Sequence, residues 1–228
     1  MTTTTSTRTR TTTPASTEPR PVPPLECDRC PRLAAFRAAN RAAEPAWHNA
    51  PVPSFGPGDA RLLVVGLAPG RGGANRTGRP FTGDGAGEVL YPALMRHGFA
   101  TGTYAADPND GLVLADCRIT NAVRCVPPAN KPTGDEVRQC RTFLHGELEA
   151  APAPTVVLAL GQVAFVAILR TLGARPGHHR FAHGAEVVIG AQTVVASYHT
   201  SRYNMNTGRL TVAAFDRVIA RLRTLLPA

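Results

Sequence analysis

The chain is organised around the apolar run Leu62-Leu-Val-Val65, which leads directly into Gly66-Leu-Ala-Pro-Gly70-Arg-Gly-Gly-Ala-Asn75-Arg-Thr-Gly-Arg-Pro80-Phe-Thr-Gly-Asp84. A short run of leucine and valine without polar interruption is typical of a parallel strand buried on both faces. Helical spacing from Ala86 to His97 then predicts a helix that ends at Gly98. The loop therefore follows the carboxyl end of a strand, where open α/β sheets bind their ligands.

The composition of this loop favours a binding site over a plain surface loop. Its glycines allow close approach of a partner and expose backbone N–H groups, and its arginines add positive charge. Phe81 and Asp84 stand near its far end. The spacing matches neither G-x-x-x-x-G-K-[ST] nor a clean G-x-G-x-x-G, so we do not expect a nucleotide cofactor here.

Length and charge limit the possible classes of protein. The 228 residues can form one sizeable domain. A net charge of +9 indicates an acidic partner, and nucleic acid is the leading candidate. Lys131 is the only lysine, so a coding bias towards arginine is the alternative source of this charge. No apolar run approaches the roughly 20 residues that span a bilayer.

The N-terminal residues 1–24 consist mainly of Thr, Arg and Pro. This composition predicts a disordered tail rather than a signal peptide, because there is no apolar central region. The folded domain is then expected over residues 25–228. Scattered cysteines do not suggest a secreted disulfide framework, so we expect a soluble cytoplasmic protein.

Three further strands and several helices are predicted along the chain. The strands are expected at Leu112–Arg124, Val156–Leu160 and 194–197. The helices are expected at Pro31 to about Arg41, after a capping box formed by Thr133 and Glu136, over Gln162–Leu172, and from about Arg209. Strands alternating with helices predict a three-layer α/β/α sandwich around a central, mainly parallel four-stranded sheet.

Three loops of unusual polar content should meet at one edge of this sheet. They are Gly66–Asp84, Asn121–Pro132 and His199–Arg209, each of which follows the end of a predicted strand. We expect them to form one cleft. The segment 176–190 contains His178, His179 and His183, but it lacks adjacent thiolates or carboxylates. It is predicted to be a solvated loop rather than a metal site.

Four of the five cysteines form two pairs. Cys27 and Cys30 have C-x2-C spacing, and Cys125 is expected at a strand end, close to Cys140 on the following helix. Four thiolates can bind zinc or an iron–sulfur cluster, and the spacing alone does not choose between them. Cys117 lies inside a predicted strand and is expected to be a buried thiol outside this set.

The rim motifs resemble those of the family 5 uracil-DNA glycosylases. These motifs are Gly66-Leu-Ala-Pro-Gly70, Asn75-Arg-Thr-Gly-Arg-Pro-Phe-Thr-Gly-Asp84, Val123-Arg-Cys-Val-Pro-Pro-Ala-Asn-Lys-Pro132 and Ser197-Tyr-His-Thr-Ser-Arg-Tyr-Asn-Met-Asn-Thr-Gly-Arg-Leu-Thr211. The resemblance extends from about Cys27 to the C-terminal helix. It implies an α/β/α fold, a [4Fe–4S] cluster on Cys27, Cys30, Cys125 and Cys140, and excision of uracil and other deaminated bases from DNA. A nucleoid-associated monomer in bacterial cytoplasm is expected.

Two residues are the candidates for catalysis. His199, at a strand end, can donate a hydrogen bond to the base oxygen as negative charge develops on the departing base. Asp84 is the only acid of the first loop and can orient the attacking water and stabilise the cationic sugar. The alternative is that Asp84 is only the N-cap of the helix that begins near Ala86.

The remaining rim residues are candidates for binding the substrate. Gly66 and Ala68 provide loop backbone, and Phe81 offers a face on which a flipped base can stack, unless it is a core aromatic. Either Asn121 or Asn130 reads the base edge. Further contacts are expected from Asn75 and Arg76 to phosphates and from Arg202 and Tyr203 to the groove, although the last two residues could equally form a plain turn.

A non-catalytic module that binds damaged or single-stranded nucleic acid, with the cluster as scaffold, is the alternative to an enzyme. A redox protein is a weaker candidate, because no cofactor loop accompanies the cysteines. Release of base from uracil-containing DNA separates the enzyme from the binding module.

Overall fold

Helices cover both faces of a mainly parallel sheet. The computed structural model describes residues 20–153 and 155–226. The strands are β1 (Leu62–Gly66), β2 (Ala100–Thr101), β3 (Val113–Leu114), β4 (Cys117–Asn121), β5 (Thr155–Leu160), β6 (Glu186–Ile189) and β7 (Gln192–Ser197). The main sheet has the order β4-β1-β5-β7-β6, and β2 pairs with β3 in a separate antiparallel ribbon.

The helices form the two outer layers. They are α1 (Pro31–Ala43), α2 (Ala74–Thr77), α3 (Gly87–Arg96), α4 (Gly134–Glu149), α5 (Gln162–Thr171), α6 (Arg202–Asn206) and α7 (Val212–Leu225). Alternate β1 side chains enter different cores: Leu62 and Val64 pack with residues of α3 and α7, whereas Leu63 and Val65 pack with residues of α1, α4 and α5. The predicted three-layer α/β/α sandwich is confirmed.

The predicted number of strands was too low. Four strands, β4, β1, β5 and β7, are parallel as expected, but β6 adds a fifth, antiparallel to β7. This segment was expected to belong to the solvated loop 176–190. Its side chains alternate between exposed and half-buried, because β6 is an edge strand and lacks the continuous apolar run of a central one.

Two predicted boundaries were also wrong. The single strand expected at Leu112–Arg124 is divided into β3 and β4 by a turn in which Asp116 has φ +51° and accepts a hydrogen bond from the Arg61 backbone N at 2.7 Å. The last helix begins at Val212, because the Thr211 hydroxyl caps it by accepting from the Ala214 N at 3.1 Å. The short helix α6 precedes it.

The capping box at the start of α4 is confirmed. Thr133 Oγ1 accepts from the Glu136 backbone N at 3.3 Å, and the Glu136 carboxylate accepts from the Thr133 N at 2.7 Å. In the sheet, Gly66 pairs with Asn121 and Leu160 with Ser197, so the three polar loops leave the same edge. The parallel strands therefore bring together residues far apart in sequence.

Residues 1–19 of the predicted tail lie outside the described residues. Arg20 contacts the domain: its Nη2 donates to the carbonyls of Gly58 and Ala150, the latter at 2.9 Å, and its Nε lies 3.5 Å from Glu147. The division into tail and domain at residue 25 stays a prediction. Within the described ranges, no helix has the length and apolar character needed to cross a membrane.

Candidate active site

A cavity of about 580 Å³ opens at the carboxyl ends of the parallel strands. This volume is within the usual range for small-molecule sites. Seven of the predicted site residues line it: Ala68, Phe81, Asp84, Asn121, Asn130, His199 and Arg202. The three loops therefore meet in one cleft, as predicted from their positions after the ends of parallel strands.

Phe81 and His199 form one wall of this cavity. Their ring centroids are 5.8 Å apart and their planes differ by 27°, although the residues come from different loops. Gly66 leaves space for Phe81 and Asn121, because a β-carbon at this position would overlap Asn121 Oδ1 and lie 2.7 Å from Phe81 Cζ.

His199 is fixed immediately after the end of β7. Asn204 Nδ2 donates to the His199 carbonyl at 2.8 Å, and the Ser201 hydroxyl caps α6 by accepting from the Asn204 N at 3.4 Å. Burial lowers the pKa of His199 below its usual value of 6.5, and the negative charge of Asp84 opposes this shift. The ring is therefore neutral at pH 7 and offers one N–H donor.

Asp84 also lines the cavity. Its Oδ1 accepts from the Ala86 backbone N at 3.1 Å. Its Oδ2 lies against the loop backbone, where a β-carbon at Gly73 would overlap it and one at Gly70 would lie 2.9 Å away. The N-cap of α3 is Ala86, which makes no side-chain cap. Asp84 therefore stabilises the turn before α3 without occupying the N-cap position.

The two candidate asparagines occupy different parts of the cavity. Asn121 ends β4, is 5% exposed, and its side-chain amide forms no hydrogen bond to the described residues. Asn130 is exposed in the 3-10 turn Pro128–Asn130, with φ +55°. Asn121 thus lies inside the cavity, and Asn130 lies at its mouth.

The predicted phosphate contact of Asn75 does not fit the structure. Asn75 is 0% exposed, and its Nδ2 donates to Asn49 Oδ1 at 2.9 Å, so its side chain holds the loop to the domain. Arg76 is exposed outside the cavity, where its Nε donates to the Gly72 carbonyl at 2.9 Å. Arg76 remains accessible to a phosphate.

Arg202 and Tyr203 lie on α6 at the rim. The Arg202 side chain crosses Gly85, where a β-carbon would meet its Nε at 2.5 Å, and its Nη2 lies 4.0 Å from Glu88. Tyr203 does not line the cavity and is 72% exposed. Tyr203 is thus a surface residue next to a residue that lines the cavity.

Arg71 also lines the cavity, although it was not among the site residues predicted from the sequence. Its Nε donates to Asn40 Oδ1 at 2.7 Å, and its guanidinium lies 5.1 Å from the centre of the Trp47 ring. These contacts fix a positive charge at the cavity mouth. The available signal was the basic residue inside a glycine-rich loop, but its partners lie far away in sequence, Asn40 on α1 and Trp47 shortly after it.

A second cavity, of about 20 Å³, is lined by Cys27, Cys30, Cys125 and Cys140. Arg37 Nη1 donates to Cys125 Sγ at 3.2 Å, and the Arg124 backbone N donates to Cys140 Sγ at 3.3 Å. Burial raises the pKa of Cys140 to about 12. Among the described residues, no three His, Cys, Asp or Glu side chains are grouped closely enough for a single metal ion.

Cys117 lies apart from these four cysteines. It is fully buried in the core beneath α3 and α7, on the opposite face of the sheet. Burial raises the pKa of its thiol well above the usual range, with the charge of Asp116 adding to the effect. Its separation from the four-cysteine cavity agrees with its predicted position outside the ligand set.

Comparison with known proteins adds to this geometry. A model of the uracil DNA glycosylase superfamily matches residues 53–223. The type-5 uracil-DNA glycosylase of Thermus thermophilus is 45% identical over 206 residues, which cover 87% of this chain and 93% of the relative. That of Pyrobaculum aerophilum is 43% identical over 201 residues, covering 86% of this chain and 88% of the relative.

More distant relatives belong to the same superfamily. The type-5 enzyme of Mycobacterium tuberculosis is 40% identical over 209 residues, covering 87% of this chain and 78% of the relative. A type-4 uracil-DNA glycosylase of Pyrobaculum aerophilum is 33% identical over 150 residues, covering 65% of this chain and 62% of the relative. Since the family match and the type-5 relatives both span most of the folded domain, the chain belongs to the uracil-DNA glycosylase superfamily, in its type-5 group.

Proposed function

We propose that this protein is a monofunctional DNA glycosylase that flips uracil out of DNA, hydrolyses its N-glycosidic bond and leaves an abasic site for base excision repair. The observation that carries the proposal is the convergence of Phe81, Asn121, His199 and Asp84 on one cavity. A base inside a duplex must leave the stack before its glycosidic bond can be reached. The cavity is large enough to receive it.

Asn121 provides the means to recognise uracil. A primary amide offers one acceptor and a pair of donors, which match the N3–H and O4 of uracil. Cytosine presents an unprotonated N3 and an amino group at the same positions, so both contacts would be mismatched in the amide orientation that pairs with uracil. A buried amide left without its partner disfavours the wrong base strongly. Phe81 adds a stacking surface for either pyrimidine.

His199 acts on the leaving group. As the glycosidic bond breaks, the bonding electrons move into the base and negative charge develops on its O2. The neutral His199 ring, held by its backbone contacts and by Phe81, donates a hydrogen bond to that oxygen. The donor is in place before the reaction, so little reorganisation is needed when the charge forms.

Asp84 acts on the sugar and the water. Cleavage leaves cationic character at the anomeric carbon, which a nearby carboxylate stabilises electrostatically. Because Oδ1 is occupied by the Ala86 N–H, Oδ2 is the oxygen available to orient water for attack. The water adds its oxygen to the sugar, and its proton leaves through the carboxylate to solvent or to the departing base.

We also propose that Cys27, Cys30, Cys125 and Cys140 hold a [4Fe–4S] cluster. A cubane spaces its four sulfur ligands more widely than a single metal ion does, and all four cysteines line one cavity. Arg37 also lines that cavity, and its Nε is a buried donor without a partner in the described residues. When bound, the cluster would link the segment before α1 covalently to α4, on the face of the sheet that α4 covers.

Base release from paired oligonucleotides tests the function. One duplex carries a single uracil and the other carries thymine at the same position. We expect free uracil and an intact strand with an alkali-labile site from the first duplex alone. Binding of the uracil duplex without base release, by wild-type protein with a full set of bound iron, would instead indicate a non-catalytic binding module.

A further inference from the structure

Phe81 has an unusual backbone conformation for its residue type. Its φ is +53°, in the left-handed region that bulky side chains rarely adopt. Such a conformation persists only where the surroundings enforce it, and it often marks a functional position. Here it aims the Phe81 ring at the cavity and against His199.

Hydroxyl groups hold the backbone on both sides of this residue. Three consecutive carbonyls, those of residues 80–82, each accept from a side chain. Tyr91 Oη donates to the Pro80 oxygen at 2.5 Å, Tyr104 Oη to the Phe81 oxygen at 3.3 Å, and Thr77 Oγ1 to the Thr82 oxygen at 3.0 Å. Each carbonyl is therefore held in the direction that the left-handed turn requires.

A buried ion pair links this turn to the segment that carries Tyr104. Arg79 is 5% exposed, and its two terminal nitrogens each donate to one Asp110 oxygen at 2.8 Å. Its Nε donates to Thr82 Oγ1 at 2.8 Å. Asp110 also accepts from the backbone N of Ala105 at 2.8 Å, which fixes the chain next to Tyr104.

Aromatic rings enclose the same guanidinium. Its central carbon lies 5.3 Å from the centre of the Phe55 ring, 5.6 Å from that of Tyr91 and 5.9 Å from that of Tyr104. Burial raises the pKa of Tyr104 to about 12, and the charge of Asp84 adds to the effect. The phenol therefore remains a hydrogen-bond donor throughout the neutral range.

The first residue of α3 leaves room for this arrangement. A β-carbon at Gly87 would overlap both the Phe81 carbonyl oxygen and Tyr104 Oη. The tyrosine hydroxyl, the carbonyl and the helix backbone thus occupy one crowded point. The chain segment between α3 and β4 supplies Tyr104 and Asp110 to the active-site loop, which is a role beyond that of a connection.

From these contacts we infer that Tyr104 and the Arg79–Asp110 pair are positioning residues, which hold Phe81 in its left-handed conformation so that its ring can stack on the extruded base. The inference rests on the proposed function, because it requires a base in the cavity. Without these contacts the Phe81 backbone relaxes towards negative φ, which turns the ring away from His199 and removes the preorganised stacking surface.

A double-mutant cycle of Tyr104→Phe and Phe81→Ala tests the inference. Tyr104→Phe removes only the hydroxyl that holds the Phe81 carbonyl. We expect it to lower the single-turnover excision rate constant by about three- to tenfold, the scale of one net hydrogen bond. In the Phe81→Ala background it should change that rate constant by less than about twofold, because the residue through which it acts is gone. Equal effects in both backgrounds, or no effect in either, would overturn the inference.

A binding measurement gives a second readout that does not depend on base release. The quantity is the affinity for a duplex with a non-hydrolysable uracil nucleotide, divided by the affinity for the undamaged duplex. Tyr104→Phe should lower this ratio while leaving the affinity for undamaged DNA unchanged. A wild-type ratio of one would count against the proposed function itself, whereas a normal wild-type ratio that Tyr104→Phe leaves unchanged counts against the positioning role alone.

Asp110→Asn and Asp216→Asn form a matched pair of charge substitutions. Asp216 pairs with Arg96 at 2.8 Å on the surface between α3 and α7, away from the cavity. We expect Asp110→Asn to reduce the ratio and the excision rate as Tyr104→Phe does, and Asp216→Asn to leave both unchanged. Equal losses in the two variants would indicate general destabilisation and contradict the inference.

Discussion

Phe81 and His199 lie side by side in the active-site cavity, with ring planes inclined by 27°, although one follows β1 and the other follows β7. The contact covers one face of the His199 ring, which also lines the cavity. A histidine held in this way serves as a fixed donor for a leaving group, and its contribution can be measured.

The first prediction concerns His199 itself. His199→Ala should lower the single-turnover rate constant on uracil-containing DNA by about 10²–10³-fold, the usual scale for loss of one preorganised donor to a developing anion. Binding of undamaged DNA should change little, because the residue lies inside the cavity. A loss of less than tenfold would show that His199 is not the main donor.

The second prediction is the pH dependence. Burial holds the pKa of His199 below 6.5, so the ring is neutral above that pH in the folded protein. We expect a level rate constant from about pH 8 down to about pH 6.5, and a decline only in more acidic solution. The free energy of unfolding should also fall as the pH drops below about 6.5. The reason is that the unfolded chain then binds a proton at His199 that the buried ring resists. A rate that rises on acidification through pH 6.5 would require a protonated histidine.

The third prediction separates catalysis by Asp84 from its structural role. Asp84→Asn keeps the oxygen that accepts from the Ala86 N–H but removes the charge. The variant should fold with an unchanged melting temperature and lose about 10²-fold or more in rate. Asp107→Asn is the matched control, because Asp107 Oδ1 accepts from the Asn109 N at 2.7 Å in the same local geometry, in an exposed turn. A near-normal rate for Asp84→Asn would leave the carboxylate with a structural role only.

The fourth prediction concerns the four-cysteine cavity. Purified protein should be brown and contain iron and sulfide, and Cys140→Ala should lose both the colour and the solubility of the wild type. Cys117→Ala is the control, because that thiol lies in the other core. It should retain the colour. A colourless, active wild type that contains zinc would contradict the cluster.

The fifth prediction is that the product strand stays intact. Glycosylases that cut the strand form a Schiff base, usually through lysine. Lys131 is the only lysine, and it does not line the cavity, while its carbonyl accepts from Arg32 at 3.0 Å. Lys131→Ala should therefore excise uracil at the wild-type rate. Borohydride trapping of a covalent adduct with wild-type protein, or scission without alkali or heat, would contradict a monofunctional enzyme.

Local sequence determined the secondary structure wherever the signal was continuous. The apolar run of β1, the reciprocal cap of Thr133 and Glu136 and the alternation of strands and helices each involve residues close in sequence. The prediction that the polar loops meet then required only that parallel strands end at one edge of the sheet. For this reason the central sheet and the meeting of the polar loops could be predicted, while the family resemblance rested on the rim motifs themselves.

Signals failed where burial was partial or where a turn interrupted a strand. The edge strand β6 has only half-buried side chains, so its pairing with β7, not its composition, makes it a strand. The turn at Asp116 divides the predicted second strand because its carboxylate is held by Arg61, a partner 55 residues earlier. Neither feature can be predicted from the residues of the segment alone, because each depends on a partner elsewhere in the chain.

The residues that lie at the edge of the sheet could be identified from the amino-acid sequence, because strand ends follow from local apolar patterns and parallel pairing. The role of each side chain there depends on the folded arrangement of distant segments. Asn75 is turned inward by Asn49, while Phe81 is held in a strained conformation by Tyr104 and by the Arg79–Asp110 pair. Those outcomes depend on hydrogen bonds between distant segments, whose geometry exists only once the chain has folded.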